Sequence, residues 1–203
     1  MNRSTWWIAP ALLAGWLAGC ASPASAPVLL TLPPGPAAAP PAAAASAPPG
    51  SVGQLAVRRV NVAEYLVARR VRYRSDASTL AEWPNTYWAE RIEIGVSREF
   101  VAALRRQLPG WTLCDTACGD QPATLSLQVD LMPLDYLRAS RTLNAGARLT
   151  LSDGAAARVL RSEAASYTLT ASADTPQAQA QAITELIDRV AAAAAPLVRA
   201  ARP

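Results

Sequence analysis

The sequence predicts an α+β domain, a mainly antiparallel sheet covered on one face by two amphipathic helices, behind an N-terminal signal and a Pro/Ala-rich linker. Three observations carry that expectation. Apolar and polar residues alternate over 124–131 and again over 143–151, apolar residues recur every three or four positions over 88–108 and 183–198, and between Pro33 and Gly50 the chain is almost wholly proline and alanine.

Residues 1–19 read as a lipoprotein signal peptide. Arg3 supplies a positive start, and the apolar stretch Trp6 to Ala18 is interrupted by Pro10 and is shorter than the roughly 20 residues a spanning helix needs. It runs into Leu17-Ala18-Gly19-Cys20, a lipobox: small residues fit the signal peptidase, and the Cys20 thiol takes a diacylglyceryl thioether. Palmitate-type chains contribute roughly 0.8 kcal/mol per buried methylene, so anchoring through Cys20 is expected to be permanent. Ala21 stands where an aspartate commonly retains a lipoprotein at the inner membrane, which points to the outer membrane, with the domain facing the periplasm.

Residues 20–53 are read as lipidated tether, short strand and Pro/Ala-rich linker. Val28 to Leu32 is a strand that either joins the main sheet or belongs to the tether, and Pro33 ends it. The linker lacks the apolar surface to offset its ordering entropy. The folded body is placed at 54–203. Leu55 to Val60 is a strand and Asn61 to Leu66 its exit, while Val71 and Tyr73 alternate with Arg70, Arg72 and Arg74, leaving one side wet. After the turn Ser75 to Ser78, Thr79 to Trp83 returns as the second arm of a hairpin. Pro84 stops that arm, and Asn85 or Thr86 is expected to cap a helix to about Leu108, with Trp88, Ile92, Val96, Phe100, Leu104 and Leu108 on one stripe and Arg98, Arg105 and Arg106 off it.

Pro109-Gly110 terminates that helix and Trp111 to Leu113 re-enters as a strand. Two alternating strands follow, Leu125 to Leu131 and Leu143 to Leu151. Asp153-Gly154 turns the chain into a partner strand from about Arg158 to Thr170, with a bulge expected near Leu160, where alternation slips. Asp174-Thr175-Pro176 announces the last helix, striped by Ile183, Leu186, Ile187, Val190, Ala194, Leu197 and Val198, with Pro196 loosening its final turn.

The chain carries 19 basic and 15 acidic residues, every basic residue is arginine, and there is no histidine. Ser-His-Asp and Cys-His nucleophiles and His-liganded zinc are therefore excluded, so an enzyme is not expected, nor a metal or cofactor. A basic protein outside the cytoplasm meets lipid headgroups and proteins; nucleic acid is not an expected partner. Cys114 and Cys118 are expected to form a disulfide in an oxidising compartment, their spacing not being the C-x-x-C of redox motifs. The densest charge cluster runs from Arg58 to Arg74. Its two readings are a solvated sheet face and a docking surface for an acidic partner or anionic lipid built on Arg70, Arg72 and Arg74. Trp83 and Tyr87 are either interface anchors on that hairpin or core.

The lipobox, short strand and linker, followed by Leu55 to Leu66, Val71-Arg72-Tyr73-Arg74, Tyr87-Trp88-Ala89-Glu90-Arg91-Ile92 and Leu108-Pro109-Gly110, resemble the ABC-type transport auxiliary lipoproteins of the PqiC-like family. Two departures are Ala63, where the family often has proline, and the basic run Val67 to Arg70. The resemblance implies a non-catalytic auxiliary component of an intermembrane lipid transport system, held at the outer membrane and supporting envelope integrity. Its partners would be an MCE-domain protein and, through it, an ABC permease and ATPase, with a homo-oligomer also expected. The chain itself has no nucleotide-binding loop of the G-x-x-x-x-G-K-[ST] type. The alternative is a regulatory outer-membrane lipoprotein that binds a cell-wall synthase or another envelope complex.

Overall fold

Thirteen residues of alternating pattern, Leu125–Leu137, form the strand around which the sheet is organised. The computed structural model describes residues 26–36, 52–114, 118 and 123–201; the signal, Cys20 and residues 37–51 of the linker lie outside it. In chain order the strands are β1 (Val28–Leu30), β2 (Gly53–Val57), β3 (Asn61–Val62), β4 (Arg70–Arg74), β5 (Leu80–Trp88), β6 (Trp111–Cys114), β7 (Leu125–Leu137), β8 (Thr142–Asp153) and β9 (Val159–Thr170). The helices are α1 (Ile92–Gln107) and α2 (Pro176–Ala200).

One edge of β7 takes β2, β3 and β4 in succession, all parallel to it: Leu55 opposite Leu125, Asn61 opposite Asp130, Arg74 opposite Leu137. Its other edge opens an antiparallel meander with β8 and then β9. β6 adds in parallel to β2, β5 pairs antiparallel with β4, and β1 pairs in parallel with β5. Of the eight strand pairings among the described residues, five are parallel. This corrects the expected mainly antiparallel sheet: the sheet is mixed, and mostly parallel by pairing. Alternation reports that a strand is half-buried and is silent about its neighbours' direction. Here residues 53–74 are laid along β7 in one pass, and α1 is the crossover that brings β6 back parallel to β2.

β1 joins the sheet, settling the open choice for Val28 to Leu32; Leu30 and Leu32 are core residues. The chain after it, from Pro33 to Pro36, lies on the helices, where Thr184 Oγ1 donates to Pro33 O at 3.0 Å. A second correction concerns the start of α1. β5 continues through Pro84 to Trp88, and α1 begins at Ile92, because Thr86 to Trp88 are claimed by pairing with β1 and Tyr87 by pairing with Arg70. Pro84 is tolerated where the β4–β5 register shifts, with Asn85 at φ 50°. Trp88 is buried from the strand, and Ile92 from the helix, so the four-residue spacing ran across an element boundary.

β7 likewise outlasts its expected end at Leu131. The register with β8 shifts between Leu131 and Leu134, absorbing Met132 and Pro133, after which Leu134 and Tyr136 resume the buried face. The bulge expected near Leu160 is present: Leu151 faces Arg161 and Ser152 faces Val159, leaving Leu160 unpaired.

Phe100 and Leu104 from α1, and Leu186, Ile187 and Val190 from α2, share one core with Leu127, Val129 and Leu149. The opposite faces of β7 and β8, with Ser126, Gln128 and Thr150, stay half-exposed. Thr175 caps α2, its Oγ1 accepting from Ala178 N at 3.1 Å, with Pro176 at the first helical position. The helix runs unbroken past Pro196 to Ala200. Fully buried Ala191, Ala194 and Ala195 let its neighbours approach closely. Among the described residues no helix is long and apolar enough to cross a membrane.

Candidate docking site

The hairpin β4–β5 brings Arg70, Arg72 and Arg74 to one face, as their alternation predicts, and there each meets a carboxylate. Arg70 Nε lies 3.2 Å and Arg72 Nε 3.3 Å from Glu82, and Arg74 Nε lies 2.9 Å from Asp135. Arg72 Nη1 also donates to Tyr65 O at 2.8 Å. Tyr65 donates its phenol to Asp135 at 2.7 Å and lies under the Arg74 guanidinium; burial, then Asp135, raise its pKa above the ordinary phenol value. The patch is thus close to neutral, a hydrogen-bonding surface in which Arg70, stacked on Tyr87 at 5.0 Å, is the most exposed cation.

Trp83 is in the core at 5 % exposure, and its Nε1 donates to Gln179 Oε1 at 2.7 Å. Gln179 Nε2 in turn donates to Arg72 O at 2.8 Å, so one buried amide ties the first turn of α2 to both strands of the hairpin. Arg138 reinforces the junction, pairing with Asp174 at 3.0 Å, donating to Tyr73 Oη at 3.0 Å, and lying 4.2 Å over the Trp83 ring. Gln179 and Arg138 carried no signal in the sequence: in the Gln/Ala run of α2 a buried glutamine looks like any surface one.

Cys114 and Cys118 are joined by a disulfide, their Cα atoms 5.4 Å apart, at the end of β6. Among the described residues no three metal-ligating side chains come together. Glu93 is buried in the first turn of α1, paired with Arg91 and placed where the helix dipole favours a carboxylate.

A second arginine site was not foreseen as a site. Past Val57 the chain leaves the sheet and is pinned across α1, where Val60 N donates to Ser97 Oγ at 2.9 Å. Between the two runs a groove of about 800 Å³, lined by Arg58 and Arg59 from the strand exit and by Ile94, Arg98, Val101 and Arg105 from α1. The signal was present in part, since 94, 98, 101 and 105 share one helix face. Their meeting with Arg58 and Arg59 depends on topology.

A sequence model described as the ABC-type transport auxiliary lipoprotein component matches residues 31–195, more than three quarters of the chain. The chain belongs to that auxiliary lipoprotein family. The family is one of lipoproteins serving an ABC-type transport system, which implies association with a membrane of the cell envelope. Solved structures agree on the fold of this auxiliary lipoprotein. It is similar to a crystal structure of an uncharacterized protein, at 17 % identity and TM-score 0.68, covering 85 % of this chain and 99 % of that one. It is also similar to a DUF330-family protein from Xanthomonas campestris, at 17 % identity and TM-score 0.60, covering 85 % and 92 %. A more remote likeness is to the PelC dodecamer from Paraburkholderia phytofirmans, at 14 % identity and TM-score 0.43, covering 70 % and 87 %. No curated protein matches the auxiliary lipoprotein.

Proposed function

We propose that this auxiliary lipoprotein is a non-catalytic adhesive subunit of an intermembrane lipid transport system. It is anchored by acyl chains on Cys20 to the outer membrane and holds an MCE-domain protein, and through it a permease and ATPase, from the periplasmic side. The observation that carries the reading is the family match over 31–195, which begins just after β1 and includes the fold from β2 to most of α2. Three further features support it. The lipobox stands upstream of the domain, with Cys20 eight residues before the first strand at Val28. The chain has no histidine, so the commonest hydrolytic constellations have nothing to build on. The hairpin face presents paired charges with Arg70 and Tyr87 outermost, a hydrogen-bonding patch suited to a protein partner rather than a reaction centre.

The docking surface in this reading is the face of Arg70, Arg72, Arg74 and Tyr87, with Trp83 holding the hairpin from beneath. Self-association is also part of the proposal. Among the described residues β9 pairs only with β8, and its residues from Val159 to Ser166 are exposed on both faces, an open edge that a further strand can extend. The test is crosslinking in intact cells followed by purification of the auxiliary lipoprotein. An MCE-domain protein as the main crosslinked species supports the proposal. A cell-wall synthase in its place moves the function to the regulatory alternative.

A further inference from the structure

The groove between α1 and the exit of β2 has a chemistry unlike the hairpin face. Among the described residues no acidic side chain lines it. Arg98 is ion-paired with Glu90 and Glu99, but Arg59 and Arg105 make no ion pair among the described residues; the Arg58 side chain turns to the other face of the sheet, where its Nε donates to Ser126 Oγ at 3.4 Å. Guanidinium forks offer planar donor pairs that match phosphate oxygens, and a concave, low-dielectric wall strengthens the attraction. Arg98 and Arg105 lie on one face seven residues apart, about 10 Å along the helix axis. Between them stands half-buried Val101, and one turn before Arg98 lies Ile94 at 42 % exposure. A bare inorganic anion would use the arginines and leave this apolar wall wet.

Size favours a compact ligand. About 800 Å³ falls in the range of roughly 300–1,000 Å³ typical of small-molecule sites, whereas a stable protein interface takes roughly 20–30 residues a side. The groove is also preformed, because Ser97 Oγ, accepting from Val60 N at 2.9 Å and donating to Glu93 O at 2.6 Å, locks its two walls together. The chain length sets the source of the ligand. Ala26, whose carbonyl accepts from Asn85 Nδ2 at 3.0 Å, is six residues from Cys20, a span of at most about 20 Å even when fully extended. With the anchor proposed above, the domain is held against the bilayer surface.

We infer that this groove binds one anionic phospholipid of that bilayer, with its phosphate held by Arg59, Arg98 and Arg105 and the first methylenes of its chains on Ile94 and Val101. The location rests on the anchoring proposal; the binding chemistry does not.

The test is calorimetric titration of the full chain, purified in a neutral detergent, with dihexanoyl phosphatidylglycerol, dihexanoyl phosphatidylcholine and inorganic phosphate. Phosphatidylglycerol is expected to bind at least tenfold more tightly than either of the others. Combined R59E and R105E should weaken it at least tenfold with an unchanged circular dichroism spectrum, and I94S should weaken the lipid without altering the response to phosphate. Equal binding of phosphatidylcholine, equal binding of phosphate, displacement by an acidic peptide rather than by lipid, or an unaffected double variant would each overturn the assignment. Because this titration reads the groove in solution, an unacylated Cys20 would defeat the anchoring proposal without deciding this one.

Discussion

Replacing Gln179 by leucine should unfold the hairpin–α2 junction far more readily than its place in a Gln/Ala-rich helix suggests. The side chain is 4 % exposed and makes two bonds, accepting from Trp83 Nε1 at 2.7 Å and donating to Arg72 O at 2.8 Å. Leucine has similar bulk, so it opens little cavity, but it strands a buried indole N–H and a backbone carbonyl. Each orphaned group costs about 1–3 kcal/mol, so the loss should be about 2–4 kcal/mol after the small gain from added apolar surface. Urea unfolding of the purified protein, followed by circular dichroism, measures it as a lower midpoint at unchanged slope. Trp83→Phe supplies the control: with no indole N–H to strand, Gln179→Leu in that background should cost less, by about 1 kcal/mol or more. A Gln179→Leu protein within about 0.5 kcal/mol of the parent would refute the reasoning.

Gly146 sits opposite the β7 bulge, where an added Cβ would stand 2.6 Å from Met132 O, so Gly146→Ala should destabilise by roughly 1–3 kcal/mol in the same assay; a neutral result would mean the bulge is free to move. Opening the disulfide with Cys114→Ser and Cys118→Ser should cost at most about 2 kcal/mol, the chain-entropy value for so short a loop, and a larger loss would show that the loop carries contacts of its own. Asp153 accepts from Ala156 N and Ala155 N at 3.0 Å each and closes the β8–β9 turn, and those bonds, Ala156 first, hold its carboxyl below the ordinary 3.8. A depressed carboxylate stabilises above its unfolded pKa and loses that contribution as pH falls through the folded value. Asp153→Asn should therefore flatten the acid end of the stability profile, below about pH 4, and an unaltered profile would assign the acid sensitivity to other groups.

β7 and β8 were legible because each buries one face, and period-two alternation is a direct record of that, whereas β9, exposed on both faces from Val159 to Ser166, followed from the Asp153-Gly154 turn. The parallel additions were not. β2, β3 and β4 are short, and nothing in Leu55-Ala56-Val57 says that its partner on one side is Leu125 and on the other Leu113. Pro84 misled for a physical reason: like Pro133 it occupies a register shift, where a missing N–H is tolerated, so its strand appears to stop where it only bulges. The candidate sites divide in the same way. Arg70, Arg72 and Arg74 share a face as alternation predicts, but Asp135, from β7, neutralises one of them across 61 residues of sequence. The groove needs Arg59 and Arg98 on elements that meet only in the folded chain.

Acylation of Cys20 is the claim on which the adhesive role depends, and its direct measurement is intact mass together with membrane fractionation of the native protein and of Cys20→Ser. A mature chain beginning at an acylated Cys20, in the outer-membrane fraction, with the variant released from it, is the predicted result. An unmodified thiol at that position, or a variant that stays in the membrane as firmly as the parent, would contradict it.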